Sequence, residues 1–369
     1  MKLLLMLALG LFALPVCAQT PPHYQVTDLG TLGGFYSQAS AINNRGEIVD
    51  VSGTARKTKH TTSYTFVTHA FLWQKGKMRN LGSLGGGYSI ALALNDRGDV
   101  VGYSELPNTE SYQSHSQIWL LHAFLYTSGK MRDLGTLPGD IVSIANGINA
   151  EGQVVGTSGT GLMDKSGVLA QGAVLWSHGH VRLIDPSHSP TEANGISRYG
   201  QVAAKALTEN FHPVVWSVWN LTTKSETDLA RDAVLGEARA VNSRGQVVGD
   251  RSDNRGNGRH AFLLDDDLPL LPGYIASDAK AINNLGAVVG IAAVDANTLS
   301  DAERNHSSRG GAVACLWQDG RVLDLNMSIP AGSGWTLCEA TGINDKGWIV
   351  GNGNYQGKQR GFLLTPITK

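Results

Sequence analysis

Four acidic side chains recur at one position of a repeated segment, and their spacing suggests more chemistry than any other feature of this sequence. They are Glu192, Glu237, Asp278 and Glu339. Two residues further along, two of the copies carry Arg239 and Lys280. If the fold brings the copies to one level, neighbouring carboxylates raise one another's pKa or bind a divalent cation. They could also bind a basic or sugar-like ligand. The other interpretation is a solvated mouth whose charges cancel, or contacts between adjacent units.

The segment that carries these residues occurs seven times along the chain. Each copy begins with an element that ends at Asn43, Asn95, Asn149, Ser197, Asn242, Asn283 or Asn344. A glycine three residues later closes a turn, in which we expect the Asn side chain to bond its own backbone. A β-branched run and a run similar to His-Ala-Phe-Leu-Trp follow. The alternation predicts four short strands per copy, named a to d in chain order. Repetition at this period is typical of propellers and solenoids.

Strand a carries small residues on one face in every copy. One position is always Ala: Ala39, Ala91, Ala145, Ala193, Ala238, Ala279 and Ala340. Two residues further on, every copy has Ala or Gly, and residues two apart share a face of a strand. A face that must be small in all seven copies is crowded, which predicts that strand a lies innermost, around the axis of a propeller.

The two ends of the repeat array complement each other. Residues 24–29 match strand d although no strand a, b or c precedes them, and the seventh copy lacks strand d. A closed ring explains both observations, because the N-terminal strand completes the last blade and removes exposed sheet edges. We therefore predict an all-β fold, a seven-bladed β-propeller of four-stranded blades, with residues 19–369 as a single domain.

The repeat resembles a known family. The tripeptide His-Ala-Phe is present at 69–71, 122–124 and 260–262, and a Leu-Gly-Thr-Leu-Gly-Gly linker is present at 29–34 with near copies at 81–86 and 134–139. These motifs resemble the bacterial HAF family of extracellular repeat proteins over almost the whole chain after its first residues. Blades four to seven depart from the pattern, mostly in the linkers. The resemblance implies a secreted repeat protein and no particular activity.

Variation among the copies points to one face of the propeller. The b–c loops are long and unalike, whereas the turns at the opposite end are short and similar. Loops on a rigid scaffold commonly carry function, so we expect ligand binding at the b–c end. Tyr36, Tyr88 and Trp335 are expected there as exposed platforms for a sugar or a protein partner. The repeated histidines, such as His69 and His122, are too far apart to share a metal and should be structural.

The first 18 residues have the features of a cleaved secretory signal: Lys2, an apolar run and a small-residue cleavage site. Export to the periplasm or the exterior is therefore predicted. Two cysteines remain after cleavage, Cys315 and Cys338, and the sequence allows either a disulfide or two buried thiols. The formal net charge is −1 with no basic patch, which argues against a nucleic-acid partner. No later stretch is apolar enough to span a membrane, and we expect a monomer.

Three functions fit these observations. The leading interpretation is a binding module that recognises a glycan, a cell-envelope component or a protein through the b–c end and the channel mouth. The first alternative is a hydrolase or lyase acting on polysaccharide, with the channel carboxylates as acid and base. The second is a purely structural extracellular repeat protein. The sequence contains no metalloprotease, serine-hydrolase or phosphate-loop motif and implies no cofactor beyond a divalent cation.

Overall fold

The computed structural model describes residues 23–59, 64–107, 120–163, 169–184, 190–206, 215–228, 235–252, 258–299 and 311–367. This part of the chain consists mainly of β-strands that form seven antiparallel sheets arranged in a ring. The predicted seven-bladed β-propeller is therefore confirmed. The predicted signal peptide, 1–18, lies outside the described residues.

The blades follow one another along the chain, and their strands run a, b, c, d outwards from the axis. Blade one contains β2 (Gly33–Ser37), β3 (Ala41–Ile42), β4 (Ile48–Lys59), β5 (Tyr64–Gln74) and β6 (Lys77–Gly82). Blade two contains β7 (Ser89–Leu94), β8 (Val100–Glu105), β9 (Leu121–Thr127) and β10 (Lys130–Asp133). Blade three contains β11 (Val142–Ile148), β12 (Val154–Met163), β13 (Leu169–Ser177) and β14 (His180–Leu183). Blade four contains β15 (Pro190–Ile196), β16 (Gln201–Ala206), β17 (Val215–Asn220) and β18 (Ser225–Asp228).

The remaining three blades have the same pattern. Blade five contains β19 (Leu235–Val241), β20 (Val247–Ser252), β21 (Arg259–Leu263) and β22 (Asp266–Asp267). Blade six contains β23 (Ala276–Ile282), β24 (Val288–Ala293), β25 (Ala312–Gln318) and β26 (Arg321–Asp324), after which comes a 3-10 helix at Leu325–Ser328. Blade seven contains β27 (Trp335–Ile343), β28 (Ile349–Tyr355), β29 (Lys358–Pro366) and β1 (Tyr24–Asp28).

The N-terminal strand closes the ring, as predicted. Strand β1 pairs antiparallel with β29, with Tyr24 opposite Pro366 and Asp28 opposite Phe362. The two ends of the described chain meet beyond this ladder, because the amide of Ile367 donates to the carbonyl of His23 at 2.8 Å. Blade seven thus has its four strands only because the chain returns to its start.

Strand a lies innermost in every blade. The a strands contact one another around the ring, in the cyclic order β3, β7, β11, β15, β19, β23, β27 and back to β3. The repeated alanine of this strand, from Ala39 to Ala340, is 0% exposed in all seven copies. The crowding that the sequence predicted is therefore present. Strand a of blade one is interrupted, and β2 and β3 both pair with β4.

A bulge in strand a explains a glycine of the neighbouring strand b. In blade three the register of β11 against β12 shifts between Ala145 and Gly147. The shift turns the carbonyl of Ile144 towards Gly156, where a Cβ atom would overlap that oxygen. The same overlap exists in four other blades, at Gly102, Gly249, Gly290 and Gly351. Blade four has Ala204 at the equivalent position. The glycine of the Val-Val-Gly pattern thus allows the backbone of strand a to approach the backbone of strand b closely.

This geometry predicts a large effect from a single methyl group. Gly156→Ala should lower the free energy of unfolding by on the order of 1–3 kcal/mol or more, because the bulge carbonyl and strand b must separate. The matched control is Ala204→Gly, which should cost only roughly 0.5–1 kcal/mol through backbone flexibility. Chemical denaturation measures both. A Gly156→Ala variant as stable as wild type would show that the carbonyl does not lie over the glycine.

Candidate binding site at the channel mouth

The asparagines that end strand a form a hydrogen-bonded belt around the axis. Each Nδ2 atom donates to the main-chain carbonyl of the equivalent residue in the next blade. The bonds run Asn43 to Asn95 (3.0 Å), Asn95 to Asn149 (3.1 Å), Asn149 to Ser197 (3.5 Å), Asn242 to Asn283 (3.0 Å), Asn283 to Asn344 (3.0 Å) and Asn344 to Asn43 (3.0 Å). We call these seven residues the asparagine belt. It opens after Ser197, whose side chain is too short to reach blade five.

The same side chains also hold their own turns. The Oδ1 atom of Asn43 accepts from the amides of Arg45 and Glu47 at 3.0 and 2.9 Å. Sequence reasoning predicted this local role and missed the bond to the next blade. Because one buried amide group satisfies both its own turn and a neighbouring blade, it fixes the a–b turns relative to one another.

A second ring of polar side chains surrounds the belt, and we call it the rim. It consists of Asn44, Asp96, Ser243, Asn284 and Asp345. Asp345 accepts from the side chains of Asn44 and Asn284 at 3.1 and 2.9 Å. Asp96 accepts from Asn44, and Asn284 accepts from Ser243. The rim therefore links blades five, six, seven, one and two.

Belt and rim enclose a concave cavity of about 430 Å³ at the a–b end of the channel. We call it the cup. Its floor is a ring of aliphatic side chains, one from each blade: Ile42, Leu94, Ile148, Ile196, Val241, Ile282 and Ile343. At blades three and four, where the rim is absent, the wall contains Ala150, Arg198 and Tyr199 instead. Tyr199 is 64% exposed and offers an aromatic face beside the cavity.

The cup lies at the end of the propeller opposite to the b–c loops, where the sequence placed function. Those loops fall largely outside the described residues, so binding at the b–c end stays a prediction. Variation among copies drew attention to the loops. The cup was missed because its residues are the repeated ones, which sequence reasoning assigned to structure.

Two of the carboxylates singled out from the sequence, Glu237 and Asp278, lie between blades, where cations neutralise them. Asp278 is fully buried and binds Arg239 Nε at 2.8 Å and Lys280 Nζ at 2.7 Å. Glu237 binds the other end of Arg239 at 2.8 Å and lies 3.5 Å from Lys205 Nζ. One arginine of blade five thus bridges to blade six.

Two further residues, Asp250 and Arg259, complete this charged cluster, and no spacing in the sequence predicted that they would join it. Asp250 on strand b is 1% exposed, and its Oδ2 atom accepts from Arg259 on strand c at 2.6 Å. Its Oδ1 atom has no hydrogen bond and lies 3.6 Å from Arg239. Burial, followed by the charge of Asp278, raises the pKa of Asp250 well above its ordinary value. Burial alone would raise the pKa of Glu237, but Arg239 and Lys205 lower it.

Of the two remaining carboxylates, Glu192 shares Lys205 with Glu237, and Glu339 has a partner of its own. Burial raises the pKa of Glu192, against the opposing effect of Lys205. Glu339 is 2% exposed and accepts from Asn352 of its own blade at 2.8 Å. Three uncharged residues of the same strand face bond to the next blade's carbonyls: Asn146, Asn194 and Thr341. Contacts between adjacent blades, one of the alternatives from the sequence, are therefore present on this face, and a ligand or cation at its carboxylates stays a prediction.

The three aromatic residues expected as exposed platforms are partly buried and packed. Trp335 stacks on Tyr355 with ring centroids 4.9 Å apart and meets Phe362 edge-on at 5.9 Å. The Tyr36 hydroxyl lies 3.2 Å from Thr68 Oγ1. Tyr88 packs against Tyr103, and burial raises its pKa. Their exposure was wrongly expected, because each ring fills space between strands of its own or a neighbouring blade.

A disulfide between Cys315 and Cys338 does not form, since both are buried free thiols. Cys315 lies in the core cluster between blades five and six, whereas its neighbours Ala314 and Leu316 face blade seven. Strand alternation therefore points Cys315 away from Cys338 in blade seven. The structural role of the histidines fits their contacts: His69 and His122 bond strand d side chains, Asn80 at 3.0 Å and Asp133 at 2.8 Å.

Within the described ranges, no three His, Cys, Asp or Glu side chains are grouped so that they could hold a metal ion. The same part of the structure contains no helix long and apolar enough to cross a membrane.

Among known proteins, the chain shows similarity to solved structures only. No protein-family model and no curated protein matches the chain. Solved structures similar to it include a puromycin-hydrolyzing peptidase of Mycobacterium tuberculosis (9% identity, TM-score 0.48, covering 90% of this chain and 53% of that one). TolB from Acinetobacter baumannii has 12% identity and a TM-score of 0.42, with 94% and 97% covered. A Trypanosoma rangeli sialidase has 8% identity and a TM-score of 0.39, with 90% and 54% covered. The chain spans about half the length of the peptidase and of the sialidase.

The charged cluster predicts a specific pH dependence. The folded-state pKa of Asp250 lies above its unfolded value, so its favourable contribution is present at low pH. That contribution is lost as the pH rises from about 4, where an ordinary Asp titrates, towards 7. Asp250→Asn mimics the protonated acid. The melting temperature of this variant minus that of wild type should therefore increase as the pH rises over this range.

Asp99→Asn is the control of opposite sign, because hydrogen bonds from Thr127, Asn95 and Arg97 outweigh burial and lower the pKa of Asp99. The melting temperature of Asp99→Asn minus that of wild type should therefore decrease as the pH rises. Parallel melting curves for Asp250→Asn and wild type at all pH values would contradict the assignment of Asp250.

Proposed function

We propose that this chain is an exported, non-catalytic binding module of the HAF type, and that the cup at the a–b end of the channel is its site for a glycan. The observation that carries the proposal is the combination, in one cavity, of fixed polar groups, an aliphatic floor and an aromatic edge. The motifs of the repeat and the secretory features of residues 1–18 support the family and the compartment.

The chemistry of the cup suits a sugar ring. A sugar carries hydroxyl groups around its edge and an apolar face of C–H groups. The rim supplies carboxylate oxygens for hydroxyl donors, and each oxygen of Asp96 accepts only one bond within the protein. The floor of aliphatic side chains and the exposed ring of Tyr199 supply surfaces for the apolar face. A cavity of about 430 Å³ lies in the size range of small-molecule sites.

The polar groups of the cup are oriented before any ligand arrives. Asn44 donates its main-chain amide to Asp96 Oδ1 at 2.8 Å, and Asp345 donates its own to Asn44 Oδ1 at 2.9 Å. Asn284 donates its main-chain amide to Asp345 Oδ1 at 2.8 Å. Side chains held in this way lose little conformational freedom on binding, which favours affinity.

The enzymatic alternative has less support from the geometry. Hydrolysis of a glycosidic bond uses two carboxyl groups, one of which is protonated and acts as the acid. In the charged cluster, Glu237 and Asp278 are paired with Arg239 and Lys280. In the cup, Asp96 and Asp345 both accept from Asn44. These four carboxylates are held as acceptors, which is what binding requires, and Asp250, whose pKa is raised, is buried out of reach of a substrate.

A glycan array with paired variants tests the site. Wild type should bind a subset of glycans, and Tyr199→Ala should weaken that binding roughly tenfold, because stacking of this kind contributes on the order of 1 kcal/mol or more. Phe35→Ala is the matched control, since Phe35 is 70% exposed on strand a near the b–c end. Loss of binding in Phe35→Ala but not in Tyr199→Ala would move the site to the opposite face. No binding to any glycan by wild type would overturn the function.

A further inference from the structure

A second cavity adjoins the cup at the seam between blades six and seven. It has a volume of about 330 Å³, and we call it the seam cavity. Its wall includes the a–b turns of both blades, the c–d turn of blade six, and the two paired end strands through Tyr24 and Pro366. Asn283, Ile343 and Asp345 line both cavities. The two spaces therefore share a wall rather than lying at separate places on the surface.

Tyr24 gives the seam cavity a polar group that faces its interior. The residue is 3% exposed and lines the cavity, and its hydroxyl makes no hydrogen bond within the described part of the chain. Burial raises the pKa of Tyr24 to about 12, so the phenol stays protonated and remains a donor at neutral pH. With no bond to another described residue, the hydroxyl is open to the cavity, where it can donate to an acceptor atom of a bound molecule.

The rest of the seam cavity has the same two-sided character as the cup. Ala287, Ile343 and Pro366 form apolar surface, and Leu285 adds an apolar lip that is 73% exposed. Gln318, Asp319 and Lys346 supply donors and acceptors along the edge. Lys346 is held over the ring of Trp348, with its Nζ atom 5.6 Å from the ring centroid.

We propose that the two cavities are neighbouring subsites for one oligosaccharide, with one sugar unit in the cup and the next in the seam cavity, where the Tyr24 hydroxyl donates to a sugar oxygen. This inference rests on the proposed function and makes it more specific. The site then takes a chain of linked sugars, entering at the axis and leaving between blades six and seven. Asp345, bound by Asn44 and Asn284, stands between the two subsites.

Calorimetric titration with two series of defined probes tests the inference. The probes are oligomers of β-1,4-linked N-acetylglucosamine and of β-1,4-linked glucose, each from one to six units. For the series that binds, affinity should rise at least tenfold between the monomer and the dimer and then level off, because two linked units fill both subsites. Tyr24→Phe should weaken trimer binding roughly 3- to 10-fold, the effect of one lost hydrogen bond, and leave monomer binding unchanged.

The melting temperature of ligand-free Tyr24→Phe separates a binding role from a structural one. Because the hydroxyl faces the cavity and bonds no other described residue, this variant should melt at about the wild-type temperature. Tyr126→Phe is the control, a tyrosine 7% exposed in blade two that lines neither cavity. It should bind every probe as wild type does.

The outcomes distinguish failure of the second subsite from failure of glycan binding in the cup. Affinity independent of chain length, or a Tyr24→Phe variant that binds the trimer as wild type does, overturns the second subsite and leaves the cup as a binding site. A Tyr24→Phe variant that melts several degrees lower also overturns it, because the hydroxyl would then be part of the fold. Failure of both series to bind overturns the inference for these sugars, and failure of the whole glycan array overturns the proposed function as well.

Discussion

The rest of this propeller depends on how closely seven backbones approach one axis. Strand a can lie there only because one position is always Ala and the position two residues further on is Ala or Gly. The bulge that follows the alanine directs a carbonyl at strand b, where a glycine such as Gly156 leaves room for the oxygen because it has no Cβ atom. At this distance a single Asn side chain spans from its own turn to the next blade. The asparagine belt is thus a consequence of crowding, and it holds the turns in one plane.

The same closeness determines which polar residues are available for a ligand. Side chains further up strand a, including Arg239 and Asn146, reach the adjacent blade before they reach the channel, so they serve the ring itself. At the a–b end the strands stop, and polar groups beyond the belt can face an open cavity. The belt breaks at Ser197, and there the rim gives way to the exposed ring of Tyr199. The proposed site therefore has a rigid polar side, on blades five, six, seven, one and two, and an aromatic side at blade four.

Much of the fold was predictable because the sequence contains seven copies of the same unit. The number of blades, the inner strand and the closure by residues 24–29 all follow from comparison of copies, and the structure confirms them. Partners from other strands were not predictable in this way. Asp250 and Arg259 join the charged cluster from strands b and c of one blade only, and no spacing in the sequence signals them. The sequence also could not predict that Cys315 faces blade five while Ala314 and Leu316 face blade seven, because this depends on how the sheet of blade six is placed between them. The cup was missed because repetition was taken as a sign of structure alone, although a ring of identical turns also builds a symmetric cavity.

A crystal structure of the protein soaked with the trimer of β-1,4-linked N-acetylglucosamine tests the central claim most directly, because it shows where a sugar lies on the ring. We expect density for one unit in the cup and for the next beside Tyr24, with the belt and rim side chains within about 1 Å of their ligand-free positions, as is usual for pre-organised sites. Density confined to the b–c end of the propeller, or a rearranged belt around the sugar, would contradict it.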